Sequence, residues 1–235
     1  MPYSAVSAPA TDTAVTLERR EGPWGEVVLR RRGTHYEIIA NGCFLMDTSD
    51  GRSERLLVRA ALEELDTRAG PRLLIGGLGV GFSLAEAAAE PRWGGITVVE
   101  REPAILDWHH TGPLSQLSAD ALADPRTALV EADLVAYVHE AAAGGGGRFD
   151  ALCLDIDNGP EWTVTDDNSS LYSPTGLAAC REALAPGGVL AVWSAQPSSA
   201  FERSLVNAGF CRVRTDEIPV VRGVPDVVHF AARPA

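Results

Sequence analysis

Apolar and polar positions follow two different rhythms along this chain, and the change of rhythm divides it. Residues 14–46 show a β-like pattern, in runs such as Gly25-Glu26-Val27-Val28-Leu29-Arg30 and His35-Tyr36-Glu37-Ile38-Ile39-Ala40. Arg32-Gly33-Thr34 and Asn41-Gly42 punctuate these runs, which predicts antiparallel hairpins. Residues 54–65 then carry Leu56, Leu57, Ala60, Ala61, Leu62 and Leu65, close to a helical apolar stripe. From Arg72 onward, short apolar strands at 73–75, 96–99, 128–130, 151–154 and 189–193 alternate with helices predicted over 82–89, 104–110, 134–142, 175–184 and 200–208. Gly187-Gly188 and Gly209 serve as helix stops. That alternation implies a parallel sheet in an α/β, Rossmann-like architecture, closed by two more strands at 211–218 and 227–232.

The resulting organisation is a tail over 1–13, a small N-terminal β-hairpin appendage over 14–50 and an α/β domain over 51–235. The tail is small and polar with two prolines, too poor in apolar surface to offset its ordering entropy, so it is expected to be disordered. Gly144 to Gly147 follows a helix and precedes a strand, the order of a connector and not of a phosphate loop.

Composition narrows the partners. Among 235 residues, 20 are basic and 32 acidic, a net charge of −12, which argues against a grip on nucleic-acid phosphates. Every basic residue is arginine, so lysine-based chemistry is excluded. Cys43, Cys153, Cys180 and Cys211 lie far apart without C-x-x-C spacing; they indicate neither a metal site nor a disulfide framework and read as reduced, mostly buried thiols. No signal peptide and no apolar run of about 20 residues is present, so the expectation is a cytoplasmic protein without a membrane partner.

The candidate chemistry begins at Ile75-Gly76-Gly77-Leu78-Gly79-Val80-Gly81-Phe82, which follows a strand and opens a helix. Gly76, Gly77, Gly79 and Gly81 allow a tight turn and a close backbone approach to a ligand. A packing turn looks the same, but Glu100 ends the next strand, 21 residues after Gly79, where a carboxylate meets ribose hydroxyls. Asp133 ends the strand after that. Acids at two successive strand ends favour a nucleoside-bearing cofactor over packing. A dinucleotide sheet shares the loop and the first acid; Asp133 and the closing strand pair instead resemble the class I AdoMet-dependent transferase fold.

The fourth strand ends in Asp155-Ile156-Asp157-Asn158-Gly159-Pro160-Glu161-Trp162, carboxylates at the sheet edge where ligands bind in open α/β sheets. Asp157 has a competing use as a turn cap before Asn158-Gly159-Pro160. Asp166-Asp167-Asn168 reads either as an acidic lid that attracts an amine or as a solvated loop. Trp162, Trp193, Phe82 and Tyr172 are candidates for an aromatic wall, with core packing favoured for Trp193. His109-His110 sit near a helix end, where capping is favoured over metal binding.

Residues 36–195 resemble the spermidine synthase-like aminopropyltransferases. The resemblance is carried by Tyr36-Glu37-Ile38-Ile39-Ala40-Asn41-Gly42, the glycine loop, Val98-Val99-Glu100, Asp124-Pro125-Arg126 and Glu131-Ala132-Asp133. It continues through Phe149-Asp150 with Asp155, Leu171-Tyr172 and Leu184-Ala185-Pro186-Gly187-Gly188-Val189. It implies that Glu100 binds ribose, Asp133 the adenine amino group, and that Asp155 orients or deprotonates an amine nucleophile. It further implies that Tyr172 lines the acceptor pocket and assists Asp155, and it makes a homodimer, paired through an exposed hairpin edge, an expectation; Asp157, Trp162 and Asp166, read from the residues themselves, are the candidate substrate-binding side chains.

The chain departs from that family at Leu78-Gly79-Val80, where aminopropyltransferases place an acid for the donor's terminal amine. It also has Leu45 in place of a glutamine and no Tyr-His-Glu segment within 49–61. The run after Asp155 likewise replaces the family's longer Asp-Ser-Ser-Asp-Pro. Without the loop acid, decarboxylated AdoMet loses a partner while ordinary AdoMet does not. The sequence therefore favours alkyl transfer, most simply methyl transfer, from S-adenosylmethionine to an amine or similar small nucleophile. Aminopropyl transfer from decarboxylated S-adenosylmethionine is the alternative, and a noncatalytic nucleoside-binding protein is the alternative of another class.

Overall fold

The structure, a computed structural model, describes residues 13–144, 148–156, 158–161, 163, 166–219 and 224–235. Residues 1–12 of the expected tail and 145–147 of the glycine connector lie outside the described residues. The β-rich opening forms four antiparallel strands in order: β1 (Val15–Gly22), β2 (Gly25–Arg32), β3 (His35–Ala40) and β4 (Cys43–Asp47). The two-residue turn between β3 and β4 is Asn41-Gly42, with φ of 51° and 80°, the left-handed pair a tight hairpin needs. Asn41 also accepts a hydrogen bond from the Glu26 amide (3.0 Å) and donates to the Trp24 carbonyl (3.1 Å), tying two hairpins together.

The helical stripe becomes α1 (Arg52–Glu64), which leads to β5 (Arg72–Gly76), α2 (Phe82–Ala89) and β6 (Gly95–Glu100). Next come α3 (Pro103–His110), α4 (Ser115–Ala123), β7 (Thr127–Glu131), α5 (Leu134–Ala142) and β8 (Phe149–Leu154). A 3₁₀ turn (Asp166–Tyr172) precedes α6 (Pro174–Ala183), β9 (Leu184–Ser194), α7 (Ser199–Asn207), β10 (Cys211–Ile218) and β11 (Asp226–Ala232). The large sheet runs β10-β11-β9-β8-β5-β6-β7. β5 to β9 are parallel, and β11 runs antiparallel between β9 and β10, closing the sheet as a hairpin.

Successive residues of each inner strand point to opposite faces, so a continuous apolar run serves two cores at once. Leu73 and Ile75 of β5, with Ala151 and Cys153 of β8, join α1, α2, α3 and the inner face of the small sheet. Leu74, Leu152 and Leu154 join α5, α6 and α7 on the other face. The result is helices on both faces of the sheet, with the small β-sheet added on the side of α1 and α3.

Two sequence expectations change here. The helix α4 has no counterpart in the apolar pattern: Ser115-Gln116-Leu117-Ser118-Ala119-Asp120-Ala121-Leu122-Ala123 buries only Ser118 and Ala121 of its residues, too little for an apolar stripe. The thiols are not uniformly buried: Cys153 and Cys180 are, Cys43 is half-buried and Cys211 is exposed at the start of β10. Among the described residues no helix is long and apolar enough to cross a membrane, and no group of three or more His, Cys, Asp or Glu side chains is placed to hold a metal ion.

Candidate active site

The sheet order reverses at β5, which has β6 on one side and β8 on the other, and a cavity opens at the carboxyl ends of these three strands. Its walls come from the glycine loop after β5, the ends of β6 and β8, the start of α1, and the β2–β4 part of the small sheet. Strands two apart are separated by about 10 Å. Glu100 at the end of β6 and Asp155 just past β8 therefore stand on opposite sides of the glycine loop.

The loop has its shape because no side chain fits it. Gly77 has φ 90°, and a Cβ there would stand 2.4 Å from the Asp155 carbonyl oxygen. Gly79 has φ 52°, and a Cβ there would meet the Met46 sulfur at 2.2 Å. Hydrogen bonds from the Gly77 amide to the Val99 carbonyl and from the Asp155 amide to the Gly76 carbonyl, both 2.9 Å, lock the three strand ends together. Gly76 is packed against Leu134 and Leu154, and Gly81 has φ 94° at the N-cap of α2.

Glu100 is buried, and its carboxylate accepts from the Leu78 amide (2.9 Å) and the Glu102 amide (2.8 Å). Burial pushes this carboxyl up, opposed by those two backbone donors, a third from Arg101, and the Arg101 charge. Glu100 lines the cavity, where its remaining acceptor capacity fits a group that presents a hydroxyl.

Asp155 also lines the cavity, beside Glu54 from the first turn of α1. Burial, then the Glu54 carboxylate, pushes the Asp155 carboxyl up to about 8, against a hydrogen bond from Ser83. Glu54 is itself 6% exposed and shifted upward by burial, with Asp226 and Asp50 adding to the effect. Ser53 holds this second carboxylate: its hydroxyl donates to Glu54 Oε2 (2.9 Å) and lies 3.2 Å from Asp226 Oδ2. The cavity lining thus carries Glu26, Glu54, Glu100, Glu102 and Asp155 against one cation among the described residues, Arg101.

The structure brings Gly77, Gly79, Glu100 and Asp155 to one cavity. Asp133 stands at the border of the cavity: its Oδ1 accepts from the Ala136 amide (2.8 Å) as the N-cap of α5 and its Oδ2 lies 3.9 Å from Arg101 Nη1, while Ala132 and Leu134 on either side line the cavity. Tyr172 packs edge-on against Phe201, ring centroids 5.6 Å apart, within the core beside α6 and α7. Asp157 and Trp162 lie outside the described residues, as does the side chain of Asp166. Trp193 both packs on the core and lines the cavity; its Nε1 is buried without a hydrogen-bond partner among the described residues.

Sequence reasoning missed several members. Leu45 and Met46 reach the site from β4, and Trp24, under the Arg101 guanidinium at 4.5 Å, from the β1–β2 turn. His109 is not a helix cap: it is 1% exposed, with Nδ1 2.7 Å from Ser118 Oγ and Nε2 2.9 Å from the Gly79 carbonyl. Donation to that carbonyl requires the proton on Nε2, so Nδ1 accepts from Ser118, and the neutral ring pins the loop to α3 and α4. Leu78, where an acid was missed, is 5% exposed and packed in the core. The loop position therefore does not set the charge of the cavity; β2, α1 and the ends of β6 and β8 do.

No family model matches the chain. Over 183 residues it is 31% identical to the polyamine aminopropyltransferase of Mycobacterium tuberculosis strain CDC 1551, a match that covers 77% of this chain and 33% of that protein. The chain thus spans about a third of the length of that curated relative. Among solved structures, a spermidine synthase in complex with the transition-state analogue AdoDATO superposes with a TM-score of 0.77 at 17% identity, over 93% of this chain and 73% of that one. Spermidine synthase from Thermotoga maritima gives 0.74 at 18% identity, over 93% and 72%.

Proposed function

We propose, for a chain that is spermidine synthase-like in sequence and carries the class I methyltransferase fold, that it transfers an aminopropyl group from decarboxylated S-adenosylmethionine to a small amine. The observation that carries this reading is the charge of the cavity, five carboxyl groups against one guanidinium. Such a lining attracts a sulfonium that also bears an ammonium, and an amine acceptor, but opposes the carboxylate of ordinary S-adenosylmethionine. Methyl transfer, expected from the missing loop acid, loses that support once the acids prove to come from other elements. The likeness to a mycobacterial polyamine aminopropyltransferase supports the same choice of aminopropyl over methyl transfer.

The donor supplies a carbon activated by a positively charged sulfur. Glu100, through the acceptor capacity its three backbone donors leave, would hold the ribose, and the amides of the glycine loop border the same path. Asp155 would accept a hydrogen bond from the acceptor amine and take its proton as the C–N bond forms and the C–S bond breaks, its electron pair leaving on sulfur. Asp155 is suited to this because burial raises its proton affinity toward that of the amine it must relieve. Much of the rate would come from alignment of amine, carbon and sulfur within a cavity fixed by backbone bonds between β5, β6 and β8. Adenine recognition by Asp133 would require the carboxylate to serve cap and ligand together, and acceptor contacts by Tyr172, Asp157, Trp162 and Asp166 stay part of the proposal.

Incubating the protein with decarboxylated S-adenosylmethionine and a series of diamines should release methylthioadenosine in step with an aminopropylated amine, both read by mass spectrometry. Release of S-adenosylhomocysteine from ordinary S-adenosylmethionine would instead establish methyl transfer, and binding without any turnover would establish the noncatalytic alternative. A homodimer belongs to the same proposal: Val15, Leu17 and Phe44 expose apolar surface on the small sheet, and light scattering after size exclusion should give twice the chain mass.

A further inference from the structure

We propose that Glu54 is the group that anchors the ammonium end of the sulfonium donor, taking over from α1 the task for which the glycine loop has no acid. This rests on the aminopropyl reading above. Three placements carry it. Glu54 lines the same cavity as Gly77, Gly79 and Asp155, yet only 6% of its surface is exposed, so its carboxylate is aimed inward and not at bulk water. It sits on the side of the glycine loop: Ser83, in the first turn of the helix that the loop opens, donates to the Glu54 carbonyl at 3.3 Å. And the carboxylate is oriented, since the Ser53 hydroxyl donates to Oε2 and the Glu54 backbone amide adds a second hydrogen bond, which leaves acceptor capacity for a ligand.

The side chain is otherwise difficult to account for. It faces two more acids, Asp155 and Asp226, with Asp50 beyond, and no arginine pairs with it at ion-pair distance among the described residues. A buried carboxylate set among like charges weakens the fold unless a cation completes the site. A ligand ammonium supplies that cation. Division of labour follows from position: Asp155, at the end of β8, is left to the acceptor amine, while Glu54, against α2 and the loop, takes the tail of the donor. Leu78, turned into the core, is then free to be apolar.

The test sets decarboxylated S-adenosylhomocysteine, a thioether with a neutral sulfur that keeps the ammonium and should follow the donor, beside two ligands that share adenosine: decarboxylated S-adenosylmethionine and methylthioadenosine, which lacks both the ammonium tail and the charge on sulfur. Isothermal titration of Glu54→Gln should show the former weakened at least ~10-fold and the latter within about 2-fold of the parent. Glu54→Asp, which keeps the charge, should recover part of the donor affinity and guards against a simple packing effect. Equal weakening of both ligands in both variants, or unchanged donor affinity in Glu54→Gln, overturns the proposal. The parent protein separates this from the functional reading: a parent that binds methylthioadenosine but prefers ordinary S-adenosylmethionine refutes aminopropyl transfer, whereas a parental preference for the decarboxylated donor that survives Glu54→Gln refutes the anchor alone.

Discussion

A single carboxyl group shows how function and stability pull apart at this site. Asp155 has its proton affinity raised to about 8, from an ordinary value near 4, mainly by burial. A group whose folded pKa is raised leaves stability intact below the unfolded pKa and removes it as pH climbs through the folded one. Charging Asp155 therefore costs the fold between about pH 4 and pH 8. Asp155→Asn should melt higher than the parent at pH 9 and almost equally at pH 3, by roughly 2–4 °C for each kcal/mol relieved at this chain length. The same variant should lose transfer by ~100-fold or more while retaining methylthioadenosine, and parental kcat/KM should rise to a plateau above about pH 8. A variant that melts lower than the parent at pH 9 would sink this account. The strand-end acids Glu100 and Asp155 were legible in the sequence because strand order alone places them. Glu54 was not recognised, yet a signal existed: it precedes Leu57 by three positions, Val58 by four and Ala61 by seven, an acid on the buried face of its own helix. Asp133 was placed by the same strand order, and one of its carboxylate oxygens also caps α5.

At the scale of elements, the glycine loop is held from both sides, and each hold makes a prediction. From β4, Met46 fills the space where Gly79 has no side chain, its sulfur 3.3 Å from the Val80 amide. Gly79→Ala must displace Met46 and strain a backbone at φ 52°, so it should cost about 1–3 kcal/mol in denaturant unfolding and weaken both donor and thioether product. From α3 and α4, His109 pins the Gly79 carbonyl; burial holds its pKa below the usual 6.5 against that bond, which favours the charged ring, and protonation would also take Nδ1 from the Ser118 hydroxyl as an acceptor. For such a histidine the unfolded chain binds the proton first, so its stabilising share is complete above about pH 6.5 and is lost as pH falls below it. His109→Phe keeps much of the ring volume and should flatten that acid limb in a series of melts from pH 7 to pH 5; an unchanged slope would show that other groups cause it. Inner strands such as β5 and β8 were legible because strands buried on both faces write long apolar runs. The helix α4 was not, since it packs through Ser118 and Ala121, and the contact between His109 and the loop joins residues 30 apart that no local pattern links.

The whole molecule carries 12 more acids than bases, and the cavity concentrates that imbalance. Composition suggested only what would be repelled; placement shows what is attracted, because carboxylates in a walled cleft act on a ligand with less screening than the same charges spread over a surface. Two causes of donor selectivity can then be separated by salt. If the net field of Glu26, Glu54 and Glu102 selects the cationic donor near neutral pH, its affinity should fall steadily between about 0.02 M and 0.5 M salt as the screening length shrinks from roughly 20 Å to a few Å. Methylthioadenosine, which is neutral, should bind equally across that range. A donor affinity as flat as that of the thioether would mean that the desolvated pairing with Glu54 alone does the selecting, since a buried pair is screened far less than a field. A steep slope in the parent that persists in Glu54→Gln would assign attraction to the collective charge of the cavity and retention to the single anchor. The fold was readable from pattern and the reaction centre from strand order, but this division exists only once α1, the small sheet and three strand ends meet around one cavity.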